Sequence, residues 1–104
     1  MRTPIYKNKT YKFYVDITVA GVAPTVTGDT ITAYLDKNKN STTPAITSVG
    51  VADVSVTGRV NFELTPTDTN KSPGTYYLQV LWVAGDESYI VADETVELKA
   101  VVKN

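Results

Sequence analysis

Two alternating apolar runs, separated by a polar connection, dominate residues 60–83 of the chain. The apolar positions of the first run are Val60, Phe62 and Leu64, and those of the second are Tyr76, Leu78, Val80 and Trp82. A period of two places such side chains on one face of a strand. The connection is rich in turn-forming residues, so the pattern predicts two strands joined by a structural corner. The corner residues are expected to be Asp68, Gly74 and Tyr76.

Tyr76 has the spacing of a tyrosine corner. In immunoglobulin-like sandwiches, a tyrosine two residues before a buried position of a central strand bonds back to the preceding connection. Tyr76 followed by Leu78 fits that spacing. We therefore expect the Tyr76 hydroxyl to contact the chain before Gly74.

The composition favours strands throughout the chain. Sixteen Thr and fifteen Val stand against five Leu, and β-branched residues suit pleated surfaces better than helices. Alternation predicts strands over residues 11–19, 30–36, 60–65, 75–83 and 89–102, with one or two more in 45–57 around a break at Gly50. We predict an all-β, immunoglobulin-like antiparallel β-sandwich of about seven strands.

A chain of 104 residues suits a single domain over residues 1–104. Residues 1–9 and 100–104 are expected to be arms that either pack on their own domain or extend to a neighbour. No apolar run is long enough for a signal peptide or a membrane span. We therefore expect the mature chain to begin at Met1 and to need no membrane.

Charge and cysteine content exclude several classes of partner. Ten Lys and Arg are offset by eleven Asp and Glu, whereas a nucleic-acid-binding protein normally presents a basic face. The sequence therefore predicts no nucleic-acid partner. Without cysteine there is no disulfide, so folding depends on packing in whichever compartment the chain occupies.

The residue inventory argues against catalysis. With neither His nor Cys, the usual general base near neutral pH and the common nucleophile systems are missing. The neighbouring carboxylates Asp86 and Glu87, like Asp93 and Glu94, point to opposite faces of a strand, and glycoside hydrolysis needs two carboxylates across a cleft. We expect no enzyme, no catalytic residue and no cofactor.

A loop that begins at Asp36 imitates the start of a calcium site, with Asn38 and Asn40 at alternate positions. Such a loop requires Gly at its sixth position and a bidentate Glu at its twelfth, where this chain has Ser41 and Thr47. We therefore expect a solvated turn here and no metal site.

The strand at residues 75–83 is apolar on both faces, although a sandwich buries only one. Either a loop or terminal segment covers the second face, or that face is a docking or self-association surface. Tyrosines at outward strand positions add to the second alternative, while cross-strand pairing explains Tyr14 and Tyr34 without any partner. The candidate interface residues are Tyr14, Tyr34, Tyr77, Leu81, Val83 and Tyr89.

Three segments carry a resemblance to a known family. They are Gly-Asp-Thr-Ile-Thr-Ala-Tyr-Leu at residues 28–35, Gly-Arg-Val-Asn-Phe-Glu-Leu-Thr-Pro-Thr-Asp-Thr at 58–69, and Pro-Gly-Thr-Tyr-Tyr at 73–77. Together they resemble the immunoglobulin-like domains of tailed-bacteriophage structural proteins, and they are similar to the N-terminal domain of baseplate upper proteins. The resemblance spans most of residues 30–97. We expect no long fibre or receptor-binding region to follow Asn104, so a partner would have to carry that function.

The resemblance implies a non-enzymatic virion structural or accessory protein, made in the host cytoplasm. It would dock on other virion proteins as a capsid decoration, which we slightly favour, or as a baseplate or tail component, either singly or as a homo-oligomer. The alternative is a host-surface carbohydrate-recognition module. That function would use Tyr14, Tyr34 and Tyr89 to stack on sugar rings, provided they lie together on one sheet.

Overall fold

A computed structural model describes residues 3–101 of the chain, so residues 1–2 and 102–104, the ends of the two expected arms, lie outside the described residues. The described part contains no helix, and hence none that is long and apolar enough to cross a membrane. Its strands are β1 (Ile5–Tyr6), β2 (Tyr11–Asp16), β3 (Thr30–Asp36), β4 (Ile46–Val49), β5 (Val51–Ala52), β6 (Arg59–Leu64), β7 (Gly74–Ala84) and β8 (Glu87–Lys99).

The strands form two sheets. The larger sheet has the order β1-β8-β7-β3-β4, and the smaller has the order β2-β6-β5. The β1–β8 pair is parallel, whereas every other neighbouring pair is antiparallel. Inward side chains of both sheets belong to one hydrophobic cluster. The chain is therefore all-β, and its two sheets pack over a shared core as in a β-sandwich.

The predicted alternation of β6 and β7 is present. Val60, Phe62 and Leu64 of β6 are buried, and so are Tyr76, Leu78, Val80 and Trp82 of β7. Burying one such side chain contributes about 1.5–3 kcal/mol. β3 also has the predicted bounds, with Ile31, Ala33 and Leu35 directed into the core.

β2 is shorter than predicted. It ends at Asp16, where alternation suggested residue 19, although Ile17 is still buried. Val19 is 54% exposed and pairs only with Val22 across a tight turn in which Ala20 has φ 51°. The chain therefore turns away from the sheet before the apolar pattern ends.

Gly50 is the point where the chain crosses from the larger sheet to the smaller one, between β4 and β5. Its amide donates a hydrogen bond to the Ile31 carbonyl at 2.8 Å. A Cβ on this residue would lie 2.4 Å from Val60 Cγ1 and 2.7 Å from Phe62 Cε1. The predicted break at Gly50 is thus a change of sheet that only glycine fits.

The structural corner has the hydrogen bond expected from the sequence, from the Tyr76 hydroxyl to the Ser72 carbonyl. Asp68 Oδ2 accepts a bond from the Thr65 amide at 2.9 Å. Gly74 has φ 149°, a conformation that favours glycine. Sequence reasoning missed Thr69, which is fully buried and whose Oγ1 donates to the Lys9 carbonyl at 2.8 Å and accepts from the Lys9 amide at 3.1 Å.

The described part of the N-terminal arm packs on its own domain. Ile5 is fully buried and lies opposite Leu98 in the parallel β1–β8 pair. The Tyr11 hydroxyl donates to the Thr3 carbonyl at 2.7 Å. At the other end, β8 stops at Lys99, earlier than the predicted residue 102, and Ala100 is exposed.

Candidate docking surfaces

Four of the six candidate interface residues share the outer face of the larger sheet: Tyr34, Tyr77, Leu81 and Val83. Strand pairing places Tyr34 opposite Gln79 and Leu81 opposite Thr32. Residues directly opposite one another in an antiparallel pair lie on the same face. All four candidates are half-buried.

The loop between β3 and β4 covers one end of this face. Lys39 Nζ lies 5.8 Å from the centre of the Tyr77 ring, and a cavity of about 40 Å³ separates the loop from Tyr34 and Tyr77. The Asp36 carboxylate holds the loop, because it accepts the amides of Asn38 at 2.8 Å and Ala45 at 2.9 Å. The Asn38 bond, followed by the Ala45 bond, lowers the pKa of Asp36.

This loop is the one that imitates a calcium site. Both Asp36 carboxylate oxygens accept backbone amides, which makes the residue a turn former. Across residues 3–101, no three His, Cys, Asp or Glu side chains come together in a way that could hold a metal ion.

A row of four residues crosses the other end of the same face, and an exposed apolar residue stands at each end of the row. It runs over four neighbouring strands. Val49 pairs with Thr32, Thr32 pairs with Leu81, and Leu81 pairs with Ile90. Val49 is 67% exposed and Ile90 is 54% exposed. With strands about 4.8 Å apart, the row spans about 15 Å. We call these four residues the outer apolar row.

Sequence reasoning missed Val49 and Ile90. The register of the β7–β8 pair shifts between Val80 and Leu81, so an unbroken period of two does not identify the face of β8 that carries Ile90. The face of Val49 depends on its pairing with Thr32, which alternation within β4 does not reveal. Both positions required knowledge of strand neighbours.

Tyr14 lies on the smaller sheet, where it packs against a neighbouring strand. The Arg59 guanidinium lies 3.9 Å from the centre of its ring and bonds both oxygens of Asp16, at 2.8 and 3.1 Å. These hydrogen bonds lower the pKa of Asp16 and raise that of Arg59. Tyr14 is thus part of a cross-strand cluster, which is the alternative that needs no partner.

Tyr89 borders a groove along one side of the sandwich. Its ring lies 5.3 Å from that of Trp82, and its hydroxyl bonds to Glu87, which raises the pKa of Tyr89. Trp82 Nε1 donates to Asp29 at 2.9 Å. The cavity is about 500 Å³, and we call it the lateral groove. Its lining residues are Asp16, Ile17, Thr18, Val19, Trp82, Tyr89, Ile90 and Val91.

The three tyrosines expected to hold a sugar do not lie together. Tyr14 is in the smaller sheet, while Tyr34 and Tyr89 are in the larger one. Tyr34 lies on the outer face opposite Gln79, and Tyr89 lies opposite the inward-facing Trp82. Sugar stacking on these three tyrosines required all of them to lie together on one sheet, and they do not.

A different aromatic surface is present. An open groove of about 1080 Å³ is bordered by Tyr6, Tyr11, Phe13 and Tyr14 together with Val49 and Val51. Phe13 stacks on the buried Phe62 with ring centres 4.9 Å apart, which fixes the base of the groove. Sequence reasoning did not select Tyr6 or Tyr11, because their shared surface arises from the chain turning between β1 and β2.

Comparison with family models and with curated proteins gives no match for this chain. The functional assignment therefore depends on the residues that carry the resemblance and on the surfaces described above.

Proposed function

We propose that this chain is a non-enzymatic structural or accessory protein of a tailed-phage virion, and that it docks through the outer apolar row. Its partner is another virion protein, on the capsid or on the baseplate or tail. The proposal combines the phage-like sequence segments with the exposed apolar residues Val49 and Ile90.

The strand order supports an immunoglobulin-like interpretation of the sandwich. If β1 to β8 are lettered A, B, C, C′, D, E, F and G, the larger sheet reads AGFCC′ and the smaller reads BED. Immunoglobulin-like folds separate G, F and C from B, E and D in this way. The Tyr76 to Ser72 hydrogen bond then lies at the E–F corner, where tyrosine corners occur.

The outer apolar row is the observation that carries the docking proposal. Single exposed apolar residues are ordinary on a protein surface. Here Val49, Leu81 and Ile90 are connected across four strands by a shared register. Buried Thr32 lies between Val49 and Leu81, and apolar side chains that share one sheet face in this way are typical of a protein–protein contact.

A small patch supports modest affinity for one copy. Repetition over many symmetry-related copies would convert weak contacts into durable attachment wherever copies are linked to one another or to a shared partner. The chemistry required of the partner is an apolar surface that matches a flat sheet face. No catalytic group is needed for this role.

The test uses virions of the phage that encodes the chain, prepared without it. Purified protein is added, and the amount that sediments with the particles is measured. We expect V49K and I90K each to reduce sedimentation at least tenfold, because each places a charge in the patch. V54K is the matched control, since Val54 is a fully exposed apolar residue outside the row. Equal sedimentation of all variants would overturn the docking surface, and no sedimentation of the parent protein would overturn the virion role.

A second candidate function is carbohydrate recognition in the aromatic groove. The observation that favours it is the clustering of Tyr6 and Tyr14, each 44% exposed, around one open groove. Aromatic rings along an open groove suit stacking against sugar rings. A glycan-array signal that Y6A and Y14A abolish, and I90K leaves intact, would favour this function over docking, because Ile90 does not line the aromatic groove.

A further inference from the structure

Most lysines of the chain lie at one end of the sandwich. The strand registers bring the ends of β1, β3 and β8 to the start of β7, and the end of β6 to the start of β2. The connections at residues 7–10, 37–45 and 65–73 therefore lie at the same end. We call these connections, together with Lys99, the lysine end. Its lysines are Lys7, Lys9, Lys37, Lys39, Lys71 and Lys99.

Hydrogen bonds join the three connections of the lysine end to one another. Thr69 Oγ1 donates to the Lys9 carbonyl at 2.8 Å and accepts from the Lys9 amide at 3.1 Å. The Lys71 amide donates to the Thr69 carbonyl at 2.9 Å. Lys37 Nζ donates to the Pro73 carbonyl at 3.0 Å. The lysines therefore stand on one continuous surface and not on separate loops.

Half of these ammonium groups have no carboxylate partner. Within residues 3–101, no carboxylate forms an ion pair with Lys7, Lys9 or Lys71. Lys99 is paired with Glu97 at 3.7 Å, but both side chains are about half exposed, and exposed pairs of this kind are weak. The other two lysines lie near tyrosine rings, which leave their charge in place.

Few carboxylates adjoin the lysine end. Asp36 accepts two backbone amides, Asp68 accepts the amide of residue 65 at 2.9 Å, and Glu97 is the partner of a lysine already counted. The next residues along β2 and β6, Lys12 and Glu63, form an ion pair that adds no net charge. Six lysines thus stand against three carboxylates, although the chain as a whole has a net charge of -1.

The opposite end of the sandwich has the opposite charge. Its connections are residues 17–29, 53–58 and 85–86, and they contain three Asp and neither Lys nor Arg. Positive and negative charge are therefore separated along the sandwich. The near-neutral composition of the chain conceals this separation, because it sums over both ends.

We infer that the lysine end binds a short acidic segment of another protein, rich in Asp and Glu. The positive excess attracts such a segment and speeds its association. The flexible lysine side chains adjust to carboxylates at different positions. Asn70 and Ser72 are exposed between the lysines, and their side chains supply further hydrogen-bond donors for carboxylate oxygens.

The residues of this end favour an acidic protein segment over a nucleic acid. Nucleic-acid surfaces usually include arginine, which binds a phosphate through two parallel hydrogen bonds. Within residues 3–101 the single arginine, Arg59, lies towards the opposite end and is bound to Asp16. Beyond the lysine end the chain carries an excess of negative charge, which repels a long polyanion but not a segment confined to this end.

The probe is a fluorescent decapeptide in which glutamate and serine alternate, and its control has glutamine at each glutamate position. Fluorescence anisotropy measures binding, and amide NMR shifts of the labelled protein locate it. We expect saturable shifts over residues 7–10 and 65–73 with the acidic peptide, and at least tenfold weaker binding of the control. Raising NaCl from about 50 to about 300 mM should also weaken binding, because salt screens exposed charges.

The matched variants change net charge equally at the two ends. K7Q/K9Q/K71Q removes the three lysines that have no carboxylate partner, and we expect it to weaken the acidic peptide at least tenfold. K7R/K9R/K71R keeps the charge and should retain binding. T25E/T27E/T57E makes the same change in net charge on exposed residues of the opposite end and should bind nearly as the parent does. Circular dichroism checks that each variant is folded.

Equal binding of the two peptides, shifts confined to other surfaces, or equal losses in the glutamine and glutamate variants would overturn the inference. Tighter binding of a single-stranded oligonucleotide with the same net charge would overturn the choice of a protein partner. The inference does not depend on the proposed virion function. I90K, outside the lysine end, should reduce sedimentation with particles without weakening the peptide, so failure of one proposal is distinguishable from failure of the other.

Discussion

The Tyr76 hydroxyl donates a hydrogen bond to the Ser72 carbonyl, four residues earlier in the chain, at 2.6 Å. The Tyr76 ring is buried, so the bond joins the polar connection directly to the core. The contact therefore attaches the connection between β6 and β7 to the start of β7.

Removing that hydroxyl should destabilise the fold. We expect Y76F to reduce the free energy of unfolding by about 1–2 kcal/mol, because the Ser72 carbonyl loses its donor while the ring still fills its site. Urea denaturation measures the change. Y34F is the control, since Tyr34 is a half-buried tyrosine on the outer face. Equal losses in the two variants would show that the corner bond contributes nothing.

Gly50 should tolerate no side chain. A Cβ would lie 2.4 Å from Val60 Cγ1, so G50A should cost about 1–3 kcal/mol of stability through overpacking. The double variant G50A/V60A removes the contacting methyl groups. If the clash is the cause, the double variant will be more stable than the sum of the single changes predicts, and strict additivity would contradict it.

Thr69 should matter more than its exposed neighbours. T69V keeps the shape of the side chain but removes the group that both donates to and accepts from the Lys9 backbone. We expect a loss of about 1–3 kcal/mol, since polar groups in a partly buried site are left unpaired. T67V, on the same connection but exposed, should change stability little. Thermal unfolding of both variants provides the comparison.

Acid should weaken the fold through three aspartates. Hydrogen bonds lower the pKa of Asp16 through Arg59, of Asp36 through Asn38 and of Asp53 through Asn61. Because each folded-state pKa lies below the ordinary value of 3.8, the stabilisation is present above that value and is lost as pH falls through the folded pKa. Urea unfolding between pH 6 and pH 2 should show this decline.

Replacing each aspartate tests whether its carboxylate causes the loss of stability at low pH. D16N, D36N and D53N should each flatten the decline below pH 4, because each removes one titrating group. D86N, in the exposed turn between β7 and β8, is the control. An unchanged pH profile in all three variants would exclude these carboxylates as the cause.

Sequence periodicity predicted which face of a strand is buried, but it did not predict which strands lie beside one another. Residues 30–36, 60–64 and 76–82 alternate cleanly, so their buried positions followed from a period of two. Which strands adjoin depends on contacts between distant parts of the chain, and that information is absent from local alternation. Thus Tyr14 and Tyr89 were grouped with Tyr34, although the fold places the three on separate surfaces.

In the candidate site, too, some residues could be found from the sequence pattern and others only from the strand pairing. Leu81 and Val83 were found because both faces of their strand are apolar. Val49 and Ile90 complete the outer apolar row only through the β3–β4 register and the irregularity in β8.

The parallel pairing of Ile5 with Leu98 joins residues from the two ends of the sequence. Because the two strands run in the same direction, tension between the ends would slide β1 along β8 and load their hydrogen bonds together. Within residues 3–101, two residue pairs share that load. Under tension β1 is therefore expected to detach first, which would free Leu98 and Lys99 of β8 from their strand partner and withdraw Ile5 from the core.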